Sequence, residues 1–220
     1  MKNFKYILIF SVILYSCNDF TEKKVLNELF SQDFEKFKAE NKLEAIDLDS
    51  VGNFSELRKK MGEITCKEKV SGLKFEFTGT LYHITAYADC PTSSVISCYF
   101  RRNLLTIIND SLVIEYGKEN KKAPIEYLKA ELENIIKKPY NFQYNKDKVK
   151  PALIRIFIED KYPISTTKKV LKEIAEQFKN INSGNKPDFF KYNILFESYD
   201  ITSIPLPPPP PKPNKFEHEY

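Results

Sequence analysis

The sequence predicts a mixed α+β fold: a ββαβαβ sheet with two helices on one face, preceded by an N-terminal helix and a β-hairpin region. Three patterns in the chain predict it. Over residues 73–88 apolar and polar residues alternate, the period of strands with one buried face. Over residues 124–138 and 166–178 apolar residues recur at three- and four-residue steps, the period of helices with one buried stripe. Between these helices stand short β-branched and apolar runs bounded by Asn, Asp, Gly and Pro, the residues at which strands turn.

The chain opens Met-Lys-Asn-Phe-Lys, and from Tyr6 to Tyr15 only Ser11 interrupts an apolar run. A basic stretch followed by a short apolar one is an export signal, residues 1–16. The apolar part is about a dozen residues long, short of the roughly 20 needed to span a bilayer. Leu14-Tyr15-Ser16-Cys17 resembles the lipobox, in which signal peptidase cuts before a cysteine that carries diacylglycerol through a thioether, although Tyr15 is bulkier than the usual occupant. Cys17 is therefore the expected lipidation site, anchoring the mature chain to a membrane of the bacterial cell envelope, facing the periplasm or the surface.

Residues 21–41 carry Val25, Leu26, Leu29, Phe30, Phe34 and Phe37 at helical spacing with Glu and Lys between, an amphipathic helix. Its polar face mixes both signs, so packing on the body of the protein is expected rather than a seat on lipid. Leu73, Phe75 and Phe77 alternate with Lys74, Glu76 and Thr78, and Thr78-Gly79-Thr80 turns the chain into a second alternating run ending at Ala88. This is a hairpin; His83 lies in it, and residues 95–100 are a further candidate strand. Residues 104–108 and 112–116 make another hairpin around Asn109-Asp110-Ser111. Pro124 stands at a first helical position ahead of Ile125, Leu128, Leu132, Ile135 and Ile136, and Pro139 stops that helix. Residues 152–158 form a strand, Ser165 or Thr166 caps the second helix, and residues 192–196 form the last strand. The resulting organisation is a signal peptide (1–16), a helix-plus-hairpin region (17–102), an α+β domain (103–203) and a Pro-rich tail (204–220).

Hydrophobic residues make up 42% of the chain and aromatics 14%, enough for a packed core. The net charge is only +4, and Arg58, Arg101, Arg102 and Arg155 are the only arginines. Nucleic-acid recognition leans on clustered Arg and a large basic excess, so it is not expected. Beyond Cys17, the cysteines Cys66, Cys90 and Cys98 belong to an oxidising compartment, where one disulfide and one further thiol are expected. Cys90 with Cys98 is the first choice. No CxxC occurs and His83 and His218 are the only histidines, so neither a metal nor a cofactor is expected.

The element order over residues 104–202, with Leu104-Thr106-Ile108, Leu112-Ile114-Tyr116-Gly117, Ile125-Glu126-Tyr127-Leu128 and Ile154-Arg155-Ile156-Phe157-Ile158-Glu159-Asp160, resembles the periplasmic domain of the ExbD/TolR family of biopolymer-transport accessory proteins. The resemblance implies that sheet fold and a habit of pairing into dimers. The family's proton coupling depends on an acidic residue inside a transmembrane helix. No such helix is legible here and no carboxylate precedes Asp19, so that property does not carry over.

Catalytic motifs are few: no GxSxG elbow, phosphate-binding glycine loop or HExxH. Glu159 and Asp160 are neighbours whose side chains point apart. Residues 205–213 hold seven prolines, Pro205, Pro207, Pro208, Pro209, Pro210, Pro211 and Pro213. That is a polyproline rod of roughly 28 Å at about 3.1 Å per residue, with Phe216 and Tyr220 beyond it, a candidate docking segment for a partner. The sequence therefore predicts a non-enzymatic envelope lipoprotein with a protein partner or a second copy of itself. The alternative is a periplasmic enzyme with a thiol and base drawn from Cys90, Cys98 and His83.

Overall fold

The computed structural model describes residues 27–90, 103–115, 120–137, 148–186 and 188–203. The signal segment, Cys17, Cys98, the candidate strand at 95–100 and the Pro-rich tail lie outside them. Among the described residues the first half of the chain gives β1 (Asn27–Phe30), α1 (Phe34–Ala39), β2 (Leu43–Asp47), α2 (Phe54–Thr65), β3 (Val70–Phe77) and β4 (Thr80–Ala88). The second half gives β5 (Leu104–Ile108), β6 (Ser111–Glu115), β7 (Lys121–Pro124), α3 (Leu128–Lys137), β8 (Val149–Phe157), α4 (Ile164–Ser183) and β9 (Phe190–Phe196). The fold is mixed α+β.

All nine strands belong to one sheet in the order β2-β3-β4-β9-β8-β5-β6-β7, with β1 added to β4. The regions before and after residue 103 thus meet in a single sheet at the β4–β9 pairing. β3 and β4 form the expected hairpin, in register through Leu73↔Ile84 and Phe75↔Tyr82. Its turn places Thr78 at φ 48° and Gly79 at φ 77°, the left-handed pair that matches the twist of two flanking strands. One edge of β4 is shared end to end by two strands. β1 runs parallel to it along Thr80–His83, and β9 pairs with it at Tyr87 and Ala88. Ser31 seals the junction: its N–H donates to the His83 carbonyl at 2.8 Å, and its Oγ accepts the Thr85 N–H at 2.9 Å.

One core lies on one face of this sheet. Alternate residues such as Leu73, Ile84, Ile107, Ile154, Ile156 and Ile194 meet the stripes of three helices: Phe54, Leu57 and Met61 of α2, Leu128 and Leu132 of α3, and Val170, Leu171 and Ile174 of α4. Phe54 stacks on Phe196 with ring centroids 5.1 Å apart. The two helices expected on a common face are there, joined by α2. Phe34 of α1 lies on the reverse face, which requires Gly72: a Cβ at that position would stand 2.7 Å from Leu43 Cδ2 and 3.1 Å from Phe34 Cε2.

Several expectations need correction. The helix expected over 21–41 is a strand at Asn27–Phe30 and a helix only at Phe34–Ala39. The helical spacing is present, but the open edge of β4 captures the backbone of residues 27–30, and tertiary pairing overrides local pattern. The second hairpin is followed by another short strand, β7, ending at Pro124, so the helix starts later, through a 3-10 turn at Ile125–Tyr127. The order from residue 104 is therefore βββαβαβ. Helix α4 begins at Ile164 after Pro163, with no side-chain cap from Ser165 or Thr166, and runs to Ser183. Strand β2 and helix α2 are additions to the expected elements.

Candidate functional site

Cys66, at the C-terminus of α2, is bonded to Cys90, two residues beyond β4, with Cα atoms 5.0 Å apart. The expected Cys90–Cys98 pairing is corrected. The reason is the hairpin register. Ser71 faces Ala86, so the residues just before Val70 come alongside those just after Ala88, and the end of α2 reaches Cys90.

His83 does not join these cysteines. It lies five residues before Ala88 in the same strand, roughly 16 Å along its axis, and Cys90 is further on. Its ring stacks on Phe30 (4.4 Å between centroids, planes 7° apart) and meets Phe34 edge-on at 5.2 Å. Burial holds the imidazole below its ordinary pKa; Lys74 and Lys38 act in the same direction, and Glu28 and Glu35 act against it. Among the described residues no free thiol stands beside this histidine.

The adjacent acids Glu159 and Asp160 take separate partners. Glu159 accepts from Asn109 Nδ2 at 3.0 Å and pairs with Lys161 at 2.8 Å, which together hold its carboxyl below the usual range, whereas Asp160 accepts the Ser55 backbone N–H at 3.0 Å. Each closes a loop rather than sharing a proton.

Two charged pairs were not expected from the sequence. Arg155 of β8 and Glu197, just past β9, approach to 3.2 Å with side chains only 19% and 12% exposed. Burial raises the Glu197 carboxyl above its ordinary pKa, Arg155 opposes that, and Asp89 adds to it. A single arginine inside the apolar run at 152–158 was the available signal. Lys168, buried on α4, is paired with Asp49.

Two grooves run between β1 and α4. One, of about 530 Å³, is lined by Glu28, Thr80, Glu176 and Lys179. The other, of about 280 Å³, is lined by Phe30, Gln32, Phe178 and Tyr192. Gln32 donates through Nε2 to the Phe190 carbonyl at 3.0 Å, fastening the end of β1 to β9. Among the described residues no three His, Cys, Asp or Glu side chains are grouped to hold a metal ion, and no helix is long and apolar enough to cross a membrane.

No family model matches the chain, and neither a curated protein nor a solved structure matches it.

Proposed function

We propose that this chain is a bacterial envelope lipoprotein, anchored through Cys17, that acts as a non-enzymatic interaction or accessory protein. The observation that carries the reading is the Cys66–Cys90 bridge. A disulfide inside the fold suits an exported chain, and it agrees with the export signal and the Leu14-Tyr15-Ser16-Cys17 sequence that precede the domain. It also engages Cys90, one of the two thiols from which a Cys/His nucleophile was drawn.

The finer reading is an association with biopolymer-transport-type complexes. Its support is the succession of two strands, helix, strand, helix and strand over residues 104–202, into which β7 is inserted, with the likeness of that succession to the ExbD/TolR periplasmic domain. The partner is an envelope protein or a second copy of the chain, and Pro205–Pro213 is its docking segment.

Mass spectrometry of the mature protein tests the anchor: the N-terminus is a lipid-modified Cys17, and Cys17→Ser releases the chain from the membrane fraction. A mature chain starting elsewhere, or a serine variant that stays with membranes, overturns it. Crosslinking and affinity capture from envelopes, with and without residues 205–220, test the docking role. Loss of the captured partner on truncation supports it, and an unchanged set of partners removes it.

A further inference from the structure

Residues 27–40 form a strap over the β3–β4 hairpin, with β1 on its edge and α1 against its reverse face. Its attachments include the short parallel ladder with Thr80–His83, the Ser31 N–H donated to the His83 carbonyl at 2.8 Å, the Ser31–Thr85 contacts at 2.9 and 3.1 Å, the Gln32 bond to Phe190, an ion pair at 3.0 Å between Asp33 and Lys191, and the packing of Phe34 beside Gly72. Leu29 and Phe34 are its buried apolar side chains.

His83 sits where these attachments converge. One imidazole touches both halves of the strap, Phe30 by its face and Phe34 by its edge. Its Nε2 is buried and has no hydrogen-bond partner among the described residues. A neutral imidazole needs only one of its nitrogens to donate, whereas imidazolium donates from both. Protonation would therefore enclose a charged N–H with no acceptor beside it. The surrounding charges divide: Lys74, directly across on β3, and Lys38 on α1 oppose protonation, while Glu28 on β1 and Glu35 on α1 favour it. Asp33 is committed to Lys191, which it shares with Asp188.

We propose that the strap is an acid-released latch: protonation of His83 frees β1 and α1 from the hairpin while the remainder of the sheet stays closed. With the strap open, the imidazole meets water and titrates near its ordinary value of 6.5. Closed, it resists the proton. The open fraction then grows by up to tenfold for each pH unit below that value, until the closed form itself takes the proton. Between pH 7.5 and 5.0 the ceiling is about 30-fold. Release leaves the backbone of Thr80–His83 without its partner strand, the kind of edge onto which another extended segment adds.

Hydrogen exchange followed by mass spectrometry on the purified mature protein tests the latch, at pH 7.5, 6.5, 5.5 and 5.0 with intrinsic rates corrected. Protection over residues 28–38 falls from the highest to the lowest pH by up to about 30-fold, while residues 152–156 and 192–196 keep theirs. In His83→Phe, which retains a stacking ring without a titrating nitrogen, strap protection is independent of pH; His83→Gln serves as a second non-titrating variant. Flat protection in the wild type, an unchanged pH response in the variants, or parallel opening of β8 and β9 overturns the proposal.

Discussion

Tyr82 donates its hydroxyl to Glu176 at 2.6 Å, so a side chain rooted in β4 and wholly buried is tied to the outer face of α4. Its ring stacks on Phe75 at 5.0 Å. Burial, with Glu176 beside it, holds the phenol well above its ordinary range, so it remains a donor. Tyr82→Phe keeps the stack and loses the bond. A cost of about 1 kcal/mol is expected in urea unfolding, because Glu176 keeps Lys172 as a partner at 2.6 Å and is not stranded. No measurable loss would mean that the bond is exchanged for water without penalty.

The Cys66–Cys90 bridge spans 24 residues, and closing a loop of that size stabilises a fold by about 3 kcal/mol in the chain-entropy account. Peptide mapping of the unreduced mature protein should recover the Cys66–Cys90 crosslink. Cys66→Ser and Cys90→Ser should each lower stability by a similar amount, and the double variant should cost no more than one of them. Additive losses would count against the pairing.

Gly72 has no room for a side chain between Leu43 and Phe34. Gly72→Val drives a branched group into that space and should cost about 1–3 kcal/mol. The loss should be read first as faster hydrogen exchange in α1 and β2, before the helix-covered core responds. Uniform loosening across the sheet would show that the reverse face is not held separately.

Glu197 provides a test by pH. Its folded pKa is raised, chiefly by burial, so its contribution to stability is complete below the unfolded value of about 4.5 and is lost as pH climbs through the folded value. Glu197→Gln cannot ionise. Relative to the wild type, the variant should therefore gain stability between pH 4 and pH 7 in denaturant titrations. A relative loss over the same interval would mean that the attraction of Arg155 outweighs burial.

The parts of the fold legible in the sequence are those where one period governs a whole element. The alternation at Leu73, Phe75 and Phe77 gave β3, and the stripe at Val170, Leu171 and Ile174 gave α4. Residues 27–30 were misread because Leu29, Phe30 and Phe34 satisfy a helical period, and only the distant edge of β4 decides otherwise. Helix α2 has its start signal in Asn53, which accepts the Glu56 N–H at 2.9 Å as the cap, while the Glu56 carboxylate accepts the Gly52 N–H at 2.9 Å, one residue before the position a capping box uses. The Cys66–Cys90 pairing departs from the Cys90–Cys98 pairing expected from the sequence, and the hairpin is the reason. Cys66 and Cys90 lie at nearly equal distances on either side of the Thr78-Gly79 turn, so the hairpin itself brings them together. The Arg155–Glu197 pair was not legible, because it depends on β8 lying beside β9.

The sharing of the β4 edge sets an order on assembly. β1 meets β4 only after the chain has doubled back through β2, α2 and β3, and β9, which completes the edge, lies more than a hundred residues beyond β4. A chain emerging N-terminus first can close the β1–β4 unit while β8 and β9 have yet to appear, leaving the upper part of that edge, at Tyr87 and Ala88, unpaired until the end of the domain arrives. The nascent protein thus waits with half an open seam, and the interval in which it is vulnerable to wrong pairing is set by the time taken to deliver β9.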